Sequence, residues 1–216
     1  MITYKNVFYP GGSKDGSGSS DVQCGIKPSS IVGGSEATAY SLPWQVALVP
    51  TWSDKPFCGG TLIGPQHVLT AAHCMGNSFN VMVGEHDYSN NKDGVRHKVC
   101  GTTSHPSYNS NTVNYDFAIV RLSKPVEFGT RVAPACLPDK KAYPGDSLVG
   151  KSLTVSGWGR TIYQGNQSPV LKTIELPGLS TADCKQAYSG PQYPPITDSM
   201  LCVQPAPGGE DWIVPG

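Results

Sequence analysis

Glycines and prolines punctuate this sequence so often that few helices could run their length. There are 25 glycines and 19 prolines among 216 residues. Proline removes a backbone donor and clashes inside a helix, and an ordered glycine loses more conformational freedom than any other residue. Between these breakers lie short apolar runs: 44–49, 61–63, 68–72, 81–83, 117–122 and 153–156. Each has the length of a strand bounded by turn residues. Helical periodicity is weak and confined to about 181–188, with Ser180 or Thr181 as the cap. There is no internal repeat. Many short strands at this spacing predict an all-β barrel or sandwich, and the pattern alone does not choose between them.

Hydrophobic residues make up 38% of the chain, enough to bury a core. Sixteen acidic residues balance sixteen basic ones. That balance, with no basic run, argues against nucleic acid or an anionic membrane as partner. No apolar stretch approaches a membrane span, and Ile2 to Pro10 lacks the apolar core of a secretion signal. The reading is therefore that the natural start lies upstream. Residues 11–20, almost entirely glycine and serine, read as a flexible linker. Seven cysteines, none in a C-x-x-C pair, read as disulfides formed in an oxidising compartment, with one thiol left over. Asn166-Gln167-Ser168 is a glycosylation sequon in a turn-rich stretch and is expected at the surface, with Pro169 reducing its use.

Specific words narrow the choice. Thr70-Ala71-Ala72-His73-Cys74 follows an apolar strand, and Asn114-Tyr115-Asp116-Phe117-Ala118-Ile119-Val120-Arg121-Leu122 comes later. Around them stand Ile31-Val32-Gly33-Gly34, Pro43-Trp44-Gln45-Val46, Phe57-Cys58-Gly59-Gly60-Thr61-Leu62-Ile63 and Ser156-Gly157-Trp158-Gly159. In order and spacing these resemble the trypsin and chymotrypsin family from about Ile31 to Asp211.

The resemblance implies two antiparallel six-stranded Greek-key β-barrels with a cleft between them, the second barrel lacking its last strands. It implies a pro-segment over 1–30 and a peptidase domain over 31–216. His73 matches the histidine that takes the nucleophile's proton and returns it to the leaving amine, and Asp116 the aspartate that fixes its tautomer. Asp211 falls where trypsin-like members carry the carboxylate that selects Arg or Lys, and Ile31 where cleavage frees the activating amino group. Cys58–Cys74, Cys184–Cys202 and Cys24–Cys136 match family disulfides, and Cys100 has no counterpart. Glu85 opens the calcium-loop region, but Arg96 stands where calcium-binding members place a second glutamate, so neither metal nor other cofactor is expected. His67, His86, His97 and His105 have no motif around them and read as surface residues. The implied partners are protein or peptide substrates cleaved after Arg or Lys, and protease inhibitors, in an extracellular setting.

The sequence also departs from the family. Gly208-Gly209-Glu210-Asp211 is followed by Trp212-Ile213-Val214-Pro215-Gly216, with no Gly-Asp-Ser-Gly-Gly word. Gly145-Asp146-Ser147 spells part of that word, but Leu148-Val149 follow it and it lies too early. Ser30 precedes Ile31 where a tryptic activator needs Arg or Lys. Three readings stay open. The favoured one is a trypsin-like peptidase known here from a partial or misspliced product, inactive as written; the others are a non-catalytic homologue that binds partners and a secreted adhesion or inhibitor module.

Overall fold

The computed structural model describes residues 24–25, 35–90, 93–138, 148–160, 165–190 and 193–204. In chain order they form β1 (Ser35–Glu36), β2 (Gln45–Pro50), β3 (Cys58–Gly64), β4 (His67–Thr70), β5 (Phe79–Val83), β6 (Val95–Ser104), β7 (Ala118–Leu122), β8 (Ser152–Gly157), β9 (Lys172–Leu179), helix α1 (Thr181–Ala187) and β10 (Cys202–Val203). All pairings between these strands are antiparallel.

Six strands close a barrel in the order β2-β3-β4-β7-β6-β5. Val46, Leu48, Leu62, Val68, Val81, Val120 and Leu122 fill it, all shut off from solvent. The Cys-Gly-Gly word has a packing reason. A Cβ on Gly60 would stand 2.8 Å from Val68 Cγ1 and 3.1 Å from Val46 Cγ2, so β3 can cross the interior here only without a side chain. Cys100 is the extra residue of a bulge in β6: Val99 pairs with Leu122 and Gly101 with Arg121. Its thiol is free and exposed.

Among the described residues, the second half is an open sheet. β9 runs through its middle, flanked by β8 on one side and by β1 and β10 on the other. Leu153, Val155, Leu176 and Val203 form a small core there, and a further cluster gathers Ile196 and Met200 around Cys184 and Cys202. α1 is capped by Ser180, whose side chain accepts the Asp183 N–H. Buried polar bonds join the halves: Ser156 Oγ donates to Gln45 Oε1 at 2.8 Å, and Trp158 Nε1 donates to the His86 carbonyl at 3.0 Å. Both bonds are buried, where a lost hydrogen bond is not readily replaced by one to water.

All six apolar runs that read as strands contribute strands, except that Ala72 belongs to the 3-10 turn following β4. Two long strands gave no readable pattern. β6 (VRHKVCGTTS) leaves most of its side chains outside the barrel, and β9 (KTIELPGL) contains Pro177-Gly178. The histidines also need a correction. His67 is exposed, whereas His86 is buried with its Nε2 3.1 Å from Glu36 Oε1. His97 and His105 are half-buried, the latter stacked on Tyr115 at 4.8 Å.

Candidate active site

The end of β4 delivers the chain to Ala71, and a single 3-10 turn, Ala72–Cys74, presents His73 at the barrel rim. Cys74 anchors that turn through a disulfide to Cys58 at the start of β3. β7 pairs with β4, and the residues leading into it include Asp116. A shared ladder therefore brings together two residues distant in sequence.

Asp116 is only 2% exposed. Its Oδ2 lies 2.6 Å from His73 Nδ1, and its Oδ1 accepts the His73 backbone N–H at 2.8 Å. Burial alone would push the Asp116 carboxyl up. The hydrogen bonds from the His73 side chain and backbone, the histidine's charge and the Ala72 N–H outweigh it and hold the group below its ordinary value. An ionised Asp116 accepts a hydrogen bond from Nδ1–H, which keeps the proton on Nδ1 and leaves Nε2 as the basic nitrogen. The His73 side chain stays 30% exposed, so a reacting group can reach it.

The approach to Asp116 is itself held in an unusual shape. Val113 and Tyr115 have φ of 55° and 53°, a region that side-chain-bearing residues avoid. The loop is fixed by the second half of the molecule. Asn114 Oδ1 accepts from Thr197 Oγ1 at 2.7 Å and also from Ser199 Oγ. The Tyr115 N–H points to the Ser199 hydroxyl at 3.3 Å. Nothing in the sequence signals this brace, because its members come from both halves of the chain.

Cys58, His73 and Cys74 cluster closely enough to suggest a metal site, with ligand atoms within 4.8 Å of one another. The two sulfurs are bonded to each other, which leaves no thiolate to bind an ion. The other two disulfides are Cys184–Cys202, fixing α1 to β10, and Cys24–Cys136, which ties residues 24–25 to the barrel together with the Gly25 N–H to Pro134 carbonyl bond of 3.0 Å. Glu85 is buried, its Oε1 accepting the His86 N–H at 3.0 Å while its Oε2 has no partner among the described residues. Burial, then the nearby Asp93 charge, raises its pKa. Arg96 faces elsewhere: it donates to the Pro50 and Ser53 carbonyls and pairs with Asp54. Ile31, Asp211 and the 145–147 segment lie outside the described residues.

A closed antiparallel barrel with a histidine–aspartate pair at its rim, beside a disulfide, is consistent with the serine peptidase class. The family model described as Trypsin matches residues 31–214, and the chain belongs to that family. Serine protease 1 of Rattus norvegicus is 40% identical over 184 residues, covering 84% of this chain and 70% of the relative. Trypsin of Sus scrofa is 36% identical over 185 residues, covering 84% and 74%. Among solved structures, neuropsin, a serine protease expressed in the limbic system of mouse brain, superposes with a TM-score of 0.70 at 31% identity, covering 82% of this chain and 75% of that one. The chain is a trypsin-like serine protease domain.

Proposed function

We propose that this domain supplies the acid–base half of an extracellular endopeptidase that cleaves proteins and peptides after Arg or Lys. The 2.6 Å contact between His73 Nδ1 and Asp116 Oδ2 is the observation on which this rests. His73 Nε2 removes the proton of a serine hydroxyl as that oxygen attacks the scissile carbonyl, then returns it to the departing amine, while Asp116 stabilises the imidazolium. Asp211 is assigned the role of pairing with the cation of an Arg or Lys substrate side chain. Residues 1–30 act as a pro-segment tethered through Cys24–Cys136, and cleavage before Ile31 activates the 31–216 domain. Three disulfides fit an oxidising, extracellular compartment. Protein substrates and protease inhibitors are the partners.

The 216 residues contain no Gly-Asp-Ser-Gly-Gly word, so the reading assigns to them the histidine and aspartate of the triad and not its nucleophile. The second reading, a secreted non-catalytic homologue that binds or regulates partners, draws on Ser30 before Ile31, where a tryptic activator needs Arg or Lys. One experiment separates them. The chain is extended after Asp211 with Cys-Gln-Gly-Asp-Ser-Gly-Gly and the closing segment of a trypsin-like relative, with Ser30→Arg to allow activation. We expect cleavage of Arg and Lys esters, reduced at least a thousandfold by His73→Ala. A graft that folds and is processed before Ile31 but stays inactive decides for the non-catalytic homologue.

A further inference from the structure

A cleft of about 460 Å³ lies between residues 50–59 of the barrel and residues 156–160 and 165–167 of the second half. Its walls are fixed. Phe57 packs edge-on against Phe79 at 5.8 Å, Trp158 is buried and hydrogen-bonded, and Gln167 Nε2 donates to the Pro56 carbonyl at 2.8 Å, tying one wall to the other. The cleft reaches Cys58, whose disulfide partner Cys74 places its sulfur 3.6 Å from His73 Nε2. A polypeptide engaged at His73 therefore has a way along this cleft.

The charges on the rim have one sign. Lys55 and Arg160 both line the cleft, both are exposed, and neither has an acidic partner among the described residues. The neighbouring acid, Asp54, is already taken by Arg96. Trp52 stands at the same rim with 80% of its surface open to solvent. Two cations without an acidic partner among the described residues, beside an exposed aromatic surface, favour an extended segment with acidic side chains and apolar stems, since like charges there would repel.

We propose that this cleft is an acidic-peptide subsite: Lys55 and Arg160 select substrates that carry Asp or Glu on the stretch running past the Cys58–Cys74 disulfide. The inference rests on the peptidase reading and names the substrate class for it. Its test needs no catalysis. Two dye-labelled octapeptides differing only as Asp-Glu-Asp against Asn-Gln-Asn are titrated into the whole, unglycosylated chain and followed by anisotropy. The acidic peptide should bind about tenfold more tightly at low salt, because each exposed cation contributes roughly two- to fivefold. That advantage should shrink towards parity at about 0.5 M salt. Lys55→Ala and Arg160→Ala should each remove part of it. The double reversal Lys55→Glu with Arg160→Glu should instead favour a Lys-Lys-Lys peptide, which also shows that the variant is folded. Because the readout is binding and needs no turnover, failure of the catalytic reading would not be mistaken for loss of the subsite. Equal binding of the two peptides, absence of binding by either, or a double reversal without effect on preference overturns the proposal.

Discussion

Asp116 grips His73 at two points, accepting its ring N–H with one carboxylate oxygen and its backbone N–H with the other. The backbone bond fixes where the 3-10 turn sits, and the ring bond fixes which way the imidazole faces. Neither oxygen is then free to rotate away. The brace from Thr197 and Ser199 onto Asn114 extends this hold into the second half of the molecule.

Asp116→Asn separates charge from shape. In an extended, serine-bearing enzyme it should lower kcat by about 10⁴ at neutral pH, because the amide favours the wrong histidine tautomer. Stability gives a second readout. The Asp116 carboxyl titrates below its ordinary 3.8, so its contribution is fully present above that value and is lost as pH falls through the folded one. The variant should therefore lose part of the acid limb of the stability curve. An unchanged kcat would count against the dyad.

Glu85 works in the opposite sense. Its folded pKa is raised above 4.5, so the native state holds the proton longer than the unfolded chain does. Stability then falls as pH rises from about 4.5 through the folded value. Glu85→Gln should raise Tm at neutral pH and make little difference below pH 4. Parallel melting curves for parent and variant across this range would refute the assignment.

The Cys58–Cys74 bridge closes a loop with a sequence separation of 16. Cys58→Ala with Cys74→Ala should cost about 3 kcal/mol, mainly by freeing the unfolded chain. Urea denaturation of the two proteins under non-reducing conditions measures it. Peptide mapping that finds either cysteine bonded elsewhere would show that the pairing is wrong.

Asn166 is exposed outside any strand, and Ser168 of its sequon donates its hydroxyl to the Val170 carbonyl at 2.7 Å. Secretion from a eukaryotic host should give a fraction of chains with an N-linked glycan, limited by Pro169, and Asn166→Gln should remove it. Intact-mass measurement before and after glycosidase treatment decides. Since Asn166 lines the cationic cleft, the glycosylated fraction should also bind the acidic octapeptide more weakly.

Much of the architecture could be read directly from the chain. Alternation and turn residues mark β3, β4, β5, β7 and β8, because each buries at least part of one face and that burial leaves a pattern in the side chains. Ser180 marks the start of α1 for a similarly local reason, its hydroxyl capping a nearby N–H. The words around His73 and Asp116 identify those residues, and their resemblance to a family supplies the expected partnership. β6 escapes such reading because its polar residues Arg96, His97 and Lys98 are held in a strand by pairing with β5 and β7 rather than by their own preferences. His86 escapes because its burial is decided by Trp158 and Glu36, which the fold brings to it. What the sequence determined, then, was whatever neighbouring residues specify through periodicity, turn chemistry and short motifs. Only the tertiary structure decided the 2.6 Å contact at His73, the Asn114 brace and the meeting of Lys55 with Arg160 across one cleft. Such distances depend on closing a barrel and docking a second sheet against it, and no local preference encodes them.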